Sequence, residues 1–267
     1  MNTRGFGLLL LVLCVAGGLV AAIFSPALAA TLTLPATPGS ARATTTTRPT
    51  TGTTPTQAAT NPGAQPTQVV DNVMLAHDTF QRPNQQFWGT SSDGRIWGED
   101  ANRSSVFSIV NHAGQITGGT GAFEATLNAP GTDTDLVLSG TVSTFDAAGN
   151  INLGGVLRWQ DTNNWYKVLI DSSELQILKD VNGTISVLQM QKFKAIAGTN
   201  YTIHFRIVGS NLFANAWPTS QAEPANWMLV TIDTSLASGI GGIRVKLLPG
   251  AVIRITSFVE TSVSNTM

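Results

Sequence analysis

Cysteine is almost absent from this chain. The only one, Cys14, lies in an apolar stretch near the start, so the rest of the sequence can form no disulfide and no thiolate metal site. Charge is scarce as well, at 12% of residues against 42% apolar, a composition that buries a core and does not describe a globally disordered chain. No basic stripe is present. Three of the 15 cations, Arg4, Arg42 and Arg48, precede Asp71, whereas all 16 acids lie between Asp71 and Glu260, which leaves that later region at −4. Nucleic acid and anionic lipid bind through clustered cations and are therefore excluded as main partners. Sustained helical periodicity is missing after the first 30 residues, and with it any place for H-E-x-x-H or a P-loop; neither motif occurs, nor does a G-x-S-x-G elbow.

The beginning of the chain reads as an address. From Phe6 to Phe24 every residue is apolar or Gly, and Ser25-Pro26-Ala27-Leu28-Ala29-Ala30 follows. Ala27 and Ala29 are the small residues of an A-x-A site and Pro26 ends a helix just before it, so residues 1–29 are expected to be a secretory signal peptide cleaved after Ala29. The rival reading is a retained anchor, because an apolar run of 19 residues comes close to the ~20 that span a bilayer. Residues 30–68 then change to Thr, Pro, Ala and Gly, with runs such as Thr44-Thr45-Thr46-Thr47. Such a segment builds no core and is expected to be an extended linker, bare or O-glycosylated. An extracellular or surface-tethered location follows, with a membrane met only through a retained N-terminal segment.

Residues 69–267 show period-two patterning broken by Gly, Asn, Asp and Pro turns, the sign of an all-β sandwich or barrel. In Tyr201–Ile207, Ile203, Phe205 and Ile207 fall on one face and Thr202, His204 and Arg206 on the other. Gly154–Gln160 and Trp165–Asp171 form an expected hairpin across Asp161-Thr162-Asn163-Asn164. Leu175–Lys179 and Thr184–Leu188 form a second across Asn182-Gly183, a dipeptide suited to a type I′ turn.

Three clusters carry a resemblance. The first is Asp78-Thr79-Phe80-Gln81-Arg82 with Trp88-Gly89 and Trp97-Gly98. The second is Gly155–Asp161 with Asn164-Trp165-Tyr166 and Leu175, Leu178 and Lys179. The third runs from Val208-Gly209-Ser210-Asn211-Leu212 through Trp217-Pro218, Glu223-Pro224 and Trp227 to Gly241-Gly242-Ile243. In this order they resemble the concanavalin A-like lectin/glucanase superfamily, in particular laminin G-like jelly-roll modules of secreted bacterial proteins. The resemblance implies a two-sheet antiparallel β-sandwich, often with one concave sheet, and carbohydrate as the commonest ligand class. It specifies a fold rather than an activity. The carboxylates that alternate along one strand in the catalytic branches have no counterpart here, since no E-x-D-x-E pattern appears.

The chemical candidates are correspondingly few. Asp133-Thr134-Asp135 is the nearest thing to a paired carboxylate, but Gly131 and Thr132 before it read as a solvated strand entry, and no residue is assigned a catalytic role. His77, His112 and His204 are far apart and read as exposed or rim histidines. No cofactor is required. Laminin G-like domains often hold calcium, and Asp78 is the candidate ligand by position, weighed against a turn-capping role. Six tryptophans offer flat faces on which sugars stack, most of them expected in the core. A sugar site is expected at Arg158, Trp165 and Tyr166 with the Trp217 loop, Arg158 being either a ligand contact or a structural ion-pair partner. The functional expectation is a non-catalytic carbohydrate-binding or adhesion module on a stalk, engaging carbohydrate or cell-envelope glycan. The alternatives are a glycoside hydrolase of the same fold and a purely structural envelope protein.

Overall fold

A computed structural model describes residues 72–264. The signal, anchor and linker expectations for residues 1–68 lie outside the described residues.

The described residues form fifteen strands and one 3-10 turn, Glu99–Asn102. The strands are β1 (Met74–Asp78), β2 (Gln85–Gln86), β3 (Phe107–Ile109), β4 (Gly114–Thr117), β5 (Gly121–Gly131), β6 (Thr134–Val142), β7 (Leu153–Asp161) and β8 (Asn164–Ile170). They continue with β9 (Glu174–Val181), β10 (Thr184–Lys192), β11 (Asn200–Val208), β12 (Asn211–Pro218), β13 (Leu229–Ile232), β14 (Gly239–Leu247) and β15 (Val252–Ser262). Nine of them make one sheet, ordered β13-β12-β11-β6-β15-β4-β3-β2, with β1 also on β15; the other six make a second, ordered β10-β9-β8-β7-β14-β5. β15 is long enough to pair β6 along one side and β4 and then β1, end to end, along the other. All pairs are antiparallel, so the chain is an all-β two-sheet sandwich, as its alternation predicts.

Alternation explains the local structure. Ile203, Phe205 and Ile207 of β11 are fully buried in the core that the sheets share, together with Leu136 and Leu138 of β6 and Val168 and Ile170 of β8. Both expected hairpins form. β7 and β8 turn over Thr162-Asn163, and β9 and β10 over Asn182-Gly183, whose φ angles of 54° and 76° are those of a type I′ turn. Arg158 departs from the pattern. Its φ is +50° and the β7 register shifts between Leu157 and Asp161, so the strand bulges and Arg158 leaves the polar face that simple alternation gives it.

One end of the core is aromatic. Trp88 meets Phe80, Trp97 and Phe107 edge to face at ring separations of 5.0, 4.9 and 5.0 Å, and Trp97 meets Phe258 at 5.3 Å. Asp78 is buried at its margin. Its Oδ1 accepts from Phe80 N, Arg82 Nη1 and Ser92 Oγ at 2.7, 2.8 and 3.0 Å; its Oδ2 accepts from Arg82 Nη2 at 3.0 Å and Trp97 Nε1 at 2.7 Å. The calcium candidate of the sequence is thus engaged in holding the first strand, its turn and a core indole together. A cation there would have to displace the Arg82 guanidinium, which already supplies the counter-charge.

Glu260 of β15 is the opposite case. It is fully buried against Gly241 of β14, and neither carboxylate oxygen has a hydrogen-bond partner. Burial pushes its carboxyl from the ordinary 4.5 up to about 8, so it is held neutral at pH 7. Between those two values the unfolded state has released a proton that the folded state keeps. Its contribution to stability is therefore complete below 4.5 and is lost as pH rises through about 8. Urea unfolding of Glu260→Gln alongside the parent chain should show the variant's relative stability growing steadily over that window; parallel stability curves would contradict the assignment.

Candidate functional site

The outward face of the six-stranded sheet holds a cavity of about 230 Å³. Because β8 sends Tyr166, Val168 and Ile170 into the core, it must send Trp165, Lys167 and Leu169 the other way, and these three form the cavity floor. Gln176 and Leu178 of β9 and Arg244 and Lys246 of β14 are the walls, and Ile185 of β10 is the lip. β10 is an edge strand, and Ile185, Val187 and Met190 stand 56, 50 and 54% exposed along it. Their partners across the β9–β10 ladder are Asp180, Leu178 and Gln176. The cavity therefore has an apolar side and a polar side.

Lys167 is the unusual member. It is only 4% exposed, and its ammonium donates to Asn152 Oδ1 at 2.8 Å. A side chain at residue 154 would bring its Cβ to 2.7 Å from Lys167 Cε and 2.4 Å from Val168 O, so Gly154 is what lets the lysine lie across the sheet. Burial, and then the charge of Lys246, push the Lys167 ammonium from 10.5 down to about 7. Arg244 is fixed by an ion pair with Glu124 of β5 and by its guanidinium lying 4.7 Å above the Trp165 ring. Trp165 also donates from Nε1 to Thr162 O at 3.0 Å. With its face covered, this indole supports Arg244 rather than offering a stacking platform.

The four expected sugar-site residues are not brought together. Trp165 alone lies at the cavity. Tyr166 faces the core side, where its hydroxyl donates to Asp233 Oδ1 at 2.6 Å and accepts from Leu236 N at 3.0 Å; burial and Asp233 push it up to about 12. Arg158, swung out by the bulge, donates to the carbonyls of Thr132, Leu236 and Gly209 at 2.7 to 3.0 Å, with Asp133 at 3.6 Å. It ties three loops at one end of the sandwich, which is the structural role. Trp217 sits half-buried on β12, in the nine-stranded sheet.

That sheet carries a second cluster on its own outward face. His204 is buried, not a rim residue. Its Nε2 meets Asp135 Oδ1, and its Nδ1 meets Glu223 Oε1 at 2.6 Å. Arg206 donates to Asp135 Oδ2 at 2.5 Å and lies 5.3 Å over the Trp227 ring, which meets His204 edge-on at 4.7 Å. Burial alone would lower the His204 pKa; Asp135 and then Glu223 outweigh it and hold it above its ordinary value. Asp135 is accordingly a buried ion-pair partner, correcting its reading as a solvated strand entry. The carboxylates of Asp135 and Glu223 do approach one another, but the His204 ring fills the space that a glycosidic oxygen would need.

Sequence reasoning missed Lys167, Asn152, Arg244 and Lys246. The signal for Lys167 lay in β8 itself, since assigning Tyr166 to one face puts Lys167 beside Trp165 on the other. Among the described residues no group of three or more His, Cys, Asp or Glu is placed to hold a metal ion.

No protein-family model and no curated protein sequence matches the chain. Its fold is similar to that of solved structures. A carbohydrate-binding module of family 66 from Bacillus subtilis is 15% identical, with TM-score 0.51 over 62% of this chain and 95% of that one. A xylan β-1,4-xylosidase from Bacillus halodurans is 12% identical, with TM-score 0.51 over 70% of this chain but 39% of the enzyme. The calcium- and Man2-bound exoplasmic/lumenal domain of VIP36 is 9% identical, with TM-score 0.50 over 68% of this chain and 88% of that domain. At these identities the likeness shows the fold alone, a two-sheet antiparallel β-sandwich.

The buried ammonium gives the site a measurable signature. Lys167 lowers stability most below pH 7, and the loss is relieved as pH rises from about 7 towards 10.5, where the folded state binds fewer protons than the unfolded. Asn152 Oδ1 keeps a donor in Lys246 N at 3.2 Å if the lysine is removed. Lys167→Met should therefore raise unfolding stability at pH 6 by about 1–4 kcal/mol and remove that rise with pH; a destabilised variant would show that the ammonium holds the sheet together.

Proposed function

We propose that the chain is a non-catalytic carbohydrate-binding module whose ligand lies in the cavity on the outward face of the six-stranded sheet. The observation that carries this is the cavity's construction. Polar groups are held in place by one another, Lys167 by Asn152 and Arg244 by Glu124, and face the apolar wall of Leu178 and Ile185. A sugar ring presents the matching pair of surfaces, hydroxyls at its rim and an apolar C–H face. Similarity in fold to a carbohydrate-binding module and to a Man2-bound exoplasmic/lumenal domain supports the same ligand class.

A hydrolase reading has less to stand on. The likeness to the xylosidase covers 39% of that enzyme, and the one carboxylate pair discussed above is closed by His204. Residues 1–68 support a place outside the cell, the module being displayed on a Thr/Pro-rich stalk with several copies on one surface adding to weak individual affinities.

Glycan-array binding by the full chain tests the reading. Saturable binding to a defined glycan is expected, retained in EDTA because both oxygens of Asp78 are taken by protein donors. Loss in EDTA would bring calcium into recognition. Leu178→Asp in the cavity wall should weaken binding at least tenfold, and Trp217→Ala on the other sheet should leave it unchanged; the reverse order would move the site away from the cavity.

A further inference from the structure

The cavity is more cationic than a neutral sugar requires. Lys167, Arg244 and Lys246 line it against one carboxylate, Asp171, in a region that carries −4 overall. Arg244 is already neutralised by Glu124. Asp171 turns its Oδ1 to the β8–β9 turn, accepting from Ser173 N, Ser173 Oγ and Glu174 N at 2.8, 3.1 and 2.9 Å. Lys167 and Lys246 form no ion pair with any described carboxylate. An ammonium has three donors, and Lys167 uses one, on Asn152. A buried cation with a neutral acceptor and two open donors is a costly arrangement that a ligand carboxylate would complete with charge-assisted hydrogen bonds.

We propose that this cavity selects an acidic saccharide, a uronate whose carboxylate is held between Lys167 and Lys246 while its ring rests on Leu178 and Ile185. The proposal rests on the saccharide reading above and narrows it.

Proton linkage follows from the same geometry. The charged groups that line the cavity with Lys167 are Arg244 and Lys246 from β14 and Asp171 after β8; Glu124 lies opposite Arg244 on β5, and Asp180 opposite Trp165, with Glu174 further along β9. No histidine lines the cavity, and Lys167 is the lining group that burial and Lys246 bring towards neutrality. With that ammonium lowered to about 7, uronate affinity should be greatest below pH 7 and fall as pH rises, by up to about tenfold per unit.

The test is calorimetric titration of the full chain with oligomers of galacturonate, glucuronate and mannuronate, each beside its carboxyl-reduced neutral counterpart, at about pH 6 and about pH 8.5. At least one uronate should bind tenfold or more tighter than its neutral partner at the lower pH, and the advantage should shrink at the higher. Lys167→Met should abolish both the advantage and its pH dependence, and Lys246→Gln should reduce the advantage. Neutral and acidic partners binding equally at both pH values would overturn the acidic inference and leave the saccharide reading intact. So would a chain that binds only other, neutral glycans on the array. A folded chain that binds no glycan at all would overturn both.

Discussion

A strand in a two-sheet sandwich can turn only every second side chain to the core, and the rest of this molecule follows from how the remaining side chains are treated. Ordinarily they meet water. Here Trp165 and Lys167 on one outward face, and Asp135 and His204 on the other, are withdrawn from it although they point away from the core. Each outward face therefore needs its own internal satisfaction of polar groups, and the two faces meet that need differently. On the nine-stranded sheet the charges close on one another, with His204 between two carboxylates and Arg206 completing the set. On the six-stranded sheet the pairing is incomplete, since Glu124 answers Arg244 while Lys167 has only an amide oxygen. An incompletely answered cation beside an open volume and an apolar lip is what the proposed binding face has and the packed one lacks.

The buried ionisable groups otherwise fix the frame around that face. Asp78 gathers five donors at the aromatic end of the core. Arg158 binds three loop carbonyls at one end of the sandwich. Asp233 accepts from Tyr166 and from Lys179, each at about the shortest distance such bonds take, and so fastens the loop after β13 to β8 and β9. The hydrogen bonds of these groups are answered within the protein, by donors for the two carboxylates and by backbone carbonyls for Arg158. Glu260 is the exception that has neither partner nor opening, and it remains neutral instead.

The fold was legible because its signals are local. Strand β11 declared itself through Ile203, Phe205 and Ile207, and Asn182-Gly183 marked a turn that needs no knowledge of the rest of the chain. The site was less so, because its members are far apart in sequence. Lys167 meets Asn152 from the loop before β7 and Lys246 from β14, strands whose neighbour relations the sequence does not state. Choosing Trp165 and Tyr166 as joint ligands overlooked the alternation that puts neighbours on opposite faces. Arg158 escaped for a different reason, since a positive φ in mid-strand redirects the side chain, and nothing in Leu157-Arg158-Trp159 announces it. His204 looked like a surface residue until Glu223 and Trp227, brought back over β11 by the chain between β12 and β13, covered it.

Function in this account resides on one sheet face, and the most direct measurement is a map of which amides move when ligand is added. Two-dimensional amide NMR of the full chain, titrated with the tightest-binding glycan, should shift resonances of Leu169, Gln176, Leu178 and Lys246 while those of Asp135, Arg206 and Trp217 stay in place. Shifts confined to β6, β11 and β12 would contradict it and assign recognition to the histidine-centred face instead.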